Sequence, residues 1–163
     1  MKKIIALFIL LLTIVVGGKI YMDYSEGKPL PTFLPTIGKT EKMPKATVNK
    51  QTFKLYLASD AKTTETGLSG RPNMPTDYGM LFEFEKAGYH TFWMKNMKFP
   101  IDILFIKENK IIGIFENVQP PTTAGDTLLL YKPEEPADKV LEINAGLSKK
   151  YNIKMGDTVT IRK

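Results

Sequence analysis

Ile101-Asp102-Ile103-Leu104-Phe105-Ile106 decides the fold. Five large apolar residues crowd into six positions without alternating with polar ones. That pattern is expected of a strand covered on both faces, not of one with a wet side. Pro100 precedes the run, and Glu108-Asn109-Lys110 follows it as a turn into a second apolar stretch, Ile111 to Phe115.

Working outward, the same reading finds more short strands. Asn49-Lys50 is placed as a tight hairpin turn between Thr47-Val48 and Thr52 to Leu57. Met80, Phe82 and Phe84 point one way, with Glu83 and Glu85 opposite. His90 to Met94, Leu128 to Tyr131, Val140 to Ile143 and Thr158 to Ile161 complete about eight strands. Two short helices are predicted, one capped by Asp60 and ending around Gly67, the other over Leu147 to Tyr151. The expectation is a mainly β fold. It is a small closed or partly closed β-barrel of about eight strands, since closure removes exposed strand edges.

Upstream the chain has a different character. Met1-Lys2-Lys3 precedes an uncharged apolar stretch, Ile4 to Gly18, which Ile20 to Met22 extends past Lys19. A helix across a hydrocarbon core takes about 20 apolar residues, and Lys19 reaches the headgroups by snorkelling. Residues 1–22 therefore read as a single-pass anchor in the cell membrane, with the C-terminal domain outside the cytoplasm. The competing reading is a cleaved signal peptide, with small residues at Val16-Gly17-Gly18, which delivers a secreted or periplasmic protein. Residues 23–45, punctuated by Pro29, Pro31, Pro35 and Pro44, read as a semi-rigid spacer. Residues 46–163 form the globular domain.

Charge and cysteine content exclude several classes. Residues 1–45 hold seven Lys against three acidic residues, and residues 46–163 hold sixteen basic against fourteen acidic. The basic excess is thus mainly in the anchor and spacer, where it attracts anionic headgroups. The nearly balanced domain lacks the dense positive charge that nucleic-acid binding uses. With no cysteine, the chain has no disulfide framework, thiolate metal site or thiol nucleophile. Its motifs imply no cofactor.

Glu65-Thr66-Gly67-Leu68-Ser69-Gly70-Arg71 is followed by Gly79-Met80-Leu81-Phe82, Phe92-Trp93-Met94-Lys95-Asn96-Met97 and Pro100-Ile101-Asp102-Ile103-Leu104-Phe105. Glu116-Asn117-Val118, Val140-Leu141-Glu142-Ile143-Asn144-Ala145-Gly146 and Gly156-Asp157-Thr158-Val159 come after. In this order and spacing they resemble the domain-of-unknown-function 192 family of small prokaryotic proteins, over about residues 46–162. The Trp-Met-Lys-Asn segment with the following Pro-Ile-Asp is the most specific piece. The resemblance implies a small closed β-barrel and implies no reaction. Many members carry a cysteine after the proline matching Pro120 or Pro121, where this chain has Thr122 and Thr123. A redox role tied to that cysteine does not carry over.

Polar residues inside apolar strands are the natural functional candidates, because a buried charge is costly without a partner. Asp102, Glu116 and Glu142 are such residues, and Arg71, Lys95 and Asn96 are suitable partners. One reading is a cleft near Trp93-Met94-Lys95-Asn96. There Arg71 and Lys95 hold a small anionic or polar envelope ligand, Trp93 gives a stacking face, and Asp102 or Glu142 binds hydroxyls. The other is an internal ion-pair network, the preferred account of Glu116 and Glu142. A non-catalytic binding or accessory module leads the functional readings. The alternatives are a saccharide hydrolase using Asp102 and Glu142, and a soft Cu(I) site from His90, Met94, Met97 and Met80.

Overall fold

The computed structural model describes residues 43–123 and 127–163. The anchor expected at 1–22 and nearly all of the spacer lie outside the described residues. Among the described residues, no helix is long and apolar enough to cross a membrane.

Seven strands form the domain: β1 (Lys45–Val48), β2 (Gln51–Ala58), β3 (Tyr78–Gly88), β4 (Ile101–Lys107), β5 (Lys110–Val118), β6 (Ala137–Asn144) and β7 (Thr160–Arg162). Two short helices, α1 (Ala61–Thr66) and α2 (Leu147–Lys150), punctuate them. The strands make one sheet in the order β5-β4-β6-β3-β2-β1-β7. All neighbours are antiparallel except β2 and β3, which run parallel across the α1 connection. The sheet curls into a half-barrel. At one corner its two edges approach through a bridge between Lys110 and Thr158.

Local chemistry accounts for the connections. Asn49 and Lys50 both take positive φ, 46° and 67°, the conformation that lets a two-residue loop match the strand twist. Asp60 caps α1 by accepting from the Thr63 backbone N–H at 2.8 Å, and the Thr63 hydroxyl accepts from the Asp60 N–H at 3.2 Å. Gly67 ends α1 at φ 51°, ψ −131°, a region that side chains with a Cβ avoid.

Two of the expected strands are corrected. His90 to Met94 and Leu128 to Tyr131 meet only at a single bridge, Phe92 with Tyr131, closed by bonds of 2.8 and 2.9 Å. Phe92, Met94 and Tyr131 pack over the sheet instead of extending it, while Leu129 and Leu130 stay exposed, so seven strands replace about eight. Pro44 and Lys45, assigned above to the spacer, belong to the domain: the Pro44 carbonyl accepts from Leu55 N–H at 2.8 Å, and Lys45 opens β1.

The doubly apolar character of β4 has its physical origin here. Leu104 and Ile106 join Phe53, Leu81, Leu141, Ile143 and Val159 in a core on one face. Ile101, Ile103 and Phe105 join Met80, Phe82, Met94, Met97 and Val140 on the other. The second face is covered by irregular segments, not by another sheet.

Asp102 breaks the apolar pattern of β4, and its fraction of exposed surface is 0%. Its Oδ1 accepts from the backbone N–H groups of Asn117 at 2.8 Å and Gly146 at 3.0 Å. Its Oδ2 accepts from Ser148 N–H at 2.8 Å. One carboxylate thereby ties the end of β5 and the start of α2 to the centre of the sheet. Asp102→Asn turns one acceptor oxygen into an amide that faces N–H donors. It should cost roughly 2–4 kcal/mol, read as a lower urea midpoint with an unchanged slope; an unaltered midpoint contradicts this role.

Candidate functional site

Glu142 lies on β6, the strand between β4 and β3. Its cross-strand neighbours are Ile103 and Met80, both buried. Residues paired directly across strands share a face. Glu142 therefore projects to the side of Ile103 and Met80, while Asp102, paired with Ile143, projects to the other.

Glu142 helps to line a cavity of about 430 Å³. One wall comes from α1 and the turn after it, with Thr64, Glu65, Gly67 and Ser69. The facing wall is aromatic: Phe82, Phe84, His90, Phe92 and Trp93. Phe92 meets Phe82 edge-on at 4.9 Å, and His90 stacks flat on Phe84 at 3.5 Å. Trp93, expected as a stacking face, lines this cavity and is 47% exposed.

Within this space Glu142 is only 5% exposed. Among the described residues its carboxyl makes no hydrogen bond or ion pair. Burial alone pushes its pKa from 4.5 up to about 8, because the charged form loses its hydration without gaining a partner. Near neutral pH it is a carboxylic acid, able both to donate and to accept.

The other sequence candidates fall elsewhere. Asp102 is spent on three backbone N–H groups, which corrects its expected role in binding hydroxyls. Neither Arg71 nor Lys95 lines the cavity. The Arg71 guanidinium sits over the Tyr56 ring, 4.4 Å from its centroid. Lys95 and Asn96 form an exposed turn, with Asn96 at φ 59°. This turn acts through its backbone: the Lys95 carbonyl accepts from the Ser69 hydroxyl at 2.9 Å. The Asn96 carbonyl accepts from Gly70 N–H, also at 2.9 Å. With Met94 and Met97 buried on either side, Trp93 to Met97 clamps the turn that forms the opposite rim of the cavity.

The expected ion-pair network is likewise corrected. Among the described residues, the ion pairs join Lys54 to Asp77, Lys107 to Glu135, Lys139 to Asp138 and Lys163 to Glu83. None includes Asp102, Glu116 or Glu142. As for the soft-metal reading, Met80, Met94 and Met97 are packed in the apolar core. His90 directs Nε2 toward the Lys86 carbonyl at 3.3 Å.

What sequence reasoning missed is the cavity's other wall. Phe84, Phe92 and Glu65 were read as strand faces or motif letters, and only the parallel β2–α1–β3 connection brings α1 over the sheet. The available signal was the capped helix followed by Gly67 and the polar Ser69, a rim-like composition next to an aromatic strand.

Comparison with known proteins agrees with this architecture. The family model DUF192, described as "Uncharacterized ACR", matches residues 44–161. A crystal structure of a protein of unknown function from Novosphingobium aromaticivorans is 31% identical, with a TM-score of 0.63; the match covers 71% of this chain and 83% of that one. A Sinorhizobium meliloti protein, described as a candidate transcription regulator, is 32% identical with a TM-score of 0.64, covering 76% and 98%. Comparison with curated proteins gives no match. The chain belongs to the DUF192 family.

The raised pKa of Glu142 has a definite sign. Between about 4.5 and about 8 the unfolded chain releases a proton that the folded domain keeps. Stability from this group is therefore full below the lower value and falls as pH rises to the upper one. Glu142→Gln should match the parent protein at the acid end and exceed it at the alkaline end, by on the order of a few kcal/mol. Thermal unfolding of both proteins across this window checks the point. Parallel profiles contradict it.

Proposed function

We propose that this domain is a non-catalytic binding module that captures a small polar ligand in the aromatic-walled cavity over Glu142. We further propose that residues 1–22 hold it at the membrane, outside the cytoplasm. The single observation that carries the binding reading is an almost wholly buried, unpartnered carboxyl opening into a cavity of about 430 Å³. Such a group is costly to keep in a fold that gains nothing from it. A concave, mostly apolar space with a few convergent polar groups is the usual form of a small-ligand site.

Several features favour capture over turnover. A two-carboxylate hydrolytic mechanism needs both acids on one cleft, whereas Asp102 and Glu142 leave opposite faces of the sheet. The Ser69 hydroxyl donates to the Lys95 carbonyl, and the His90 ring lies flat on Phe84, so these two residues are not paired as nucleophile and base. An anionic ligand finds no support at this cavity, which among the described residues is lined by two acids, Glu65 and Glu142, and by no lysine or arginine.

Trp93 is the sole tryptophan and sits on the cavity wall, so its fluorescence reports occupancy. Screening of small sugars, amides and amino alcohols should find compounds that perturb it. Trp93→Ala, followed by ligand-observed NMR, should weaken binding by about tenfold or more while the circular dichroism stays that of the parent. A panel that moves neither the fluorescence nor the resonances of Phe92 and Glu142 contradicts the reading.

A further inference from the structure

The cavity's chemistry narrows the ligand further, in an argument that rests on the binding reading above. Its two carboxyls lie at different depths, Glu142 on the sheet and Glu65 on α1. Among the described residues no lysine or arginine lines it. The remaining wall presents the rings of Phe82, Phe84, Phe92 and Trp93, and aromatic faces attract cations through their quadrupoles. The titratable groups facing Glu142 across this space are Glu65 from α1 and His90 from the segment after β3, while β3 and β4 present Met80 and Ile103. The domain's modest basic excess does not oppose this, since its charges are exposed and screened beyond about 8 Å.

From this arrangement we infer that the cavity takes a small organic ammonium ion, with Glu142 as its counter-ion and the aromatic wall around its alkyl groups. The unpartnered carboxyl then has the partner that the fold does not supply. The wall opposite α1 is mostly aromatic, with Phe82, Phe84, Phe92 and Trp93 among its residues. The methyl groups of an alkylated ammonium therefore pack against rings where the N–H groups of a bare ammonium would find none of their preferred oxygen partners. Binding carries a proton balance. Below the titration midpoint the Glu142 carboxylic acid loses its proton to solvent as the cation enters, leaving carboxylate and ammonium paired.

Isothermal calorimetry on residues 43–163, with choline, ethanolamine and 3,3-dimethyl-1-butanol, tests this. These residues hold every strand and both helices described above, and the circular dichroism and cooperative unfolding of the fragment are verified first. The alcohol is the neutral carbon isostere of choline. Choline should bind about tenfold tighter than the alcohol and tighter than ethanolamine. Repeating the titration in buffers of different ionisation enthalpy should show close to one proton released per choline below about pH 8, and almost none well above it. In Glu142→Gln the proton release and the preference for choline over the alcohol should both vanish. Displacement of choline by phosphatidylcholine vesicles places the cation on a lipid headgroup, and no displacement places it on a free solute; either is consistent with the inference. Equal or tighter binding of the alcohol overturns the cation and leaves the binding module standing. Absence of choline binding, while a sugar or amide from the wider panel perturbs Trp93, overturns it in the same way.

Discussion

The antiparallel register between β4 and β6 is the constraint on which the rest depends. It sets Ile103 opposite Glu142 and Asp102 opposite Ile143. Because side chains alternate faces with a period of two, this one alignment sends the two buried carboxyls to opposite sides of the sheet. A slip of β4 by one residue would send Asp102, with Leu104 and Ile106, to the face of Glu142 and move Ile103 and Phe105 to the other. The flanking residues Leu104, Ile106, Leu141 and Ile143, all buried on the same face as Asp102, hold the alignment by packing.

The two acids then meet different fates. Asp102 is met by backbone N–H groups from two turns and becomes a structural clamp for the end of β5 and the start of α2. Glu142 is met by Met80, Ile103 and open space, and keeps its proton instead. Like residue types in adjacent strands thus become a backbone clamp on one face and an unpartnered acid facing a cavity on the other. The difference lies in what the connecting segments bring to each face.

Much of this was legible in the sequence, for physical reasons that can be named. The doubly apolar run of β4 declared a strand buried on both sides, and Asp60, Gly67 and Asn49-Lys50 marked a cap and a turn whose backbone demands are local. The family motifs placed the chain among its relatives. Legibility failed where long-range packing decides. His90 to Met94 has strand-like composition yet contributes one bridge, since its Phe92 and Met94 are drawn down onto the sheet face. Arg71 and Lys95 looked like anion ligands because their charges are visible in sequence, whereas the carbonyl groups of Lys95 and Asn96, which hold the rim, are not. Glu142 was visible as an acid between Leu141 and Ile143, but that it lacks a partner is a property of the assembled face.

The account therefore turns on the charge state of one side chain. The most direct measurement is a carbon-detected NMR titration of the Glu142 side-chain carboxyl in the folded domain, assigned by comparison with Glu142→Gln. A midpoint pushed up to about 8 is the result the account predicts. A midpoint in the ordinary glutamate range, near 4.5, would mean that the carboxyl is solvated or paired, and would contradict it.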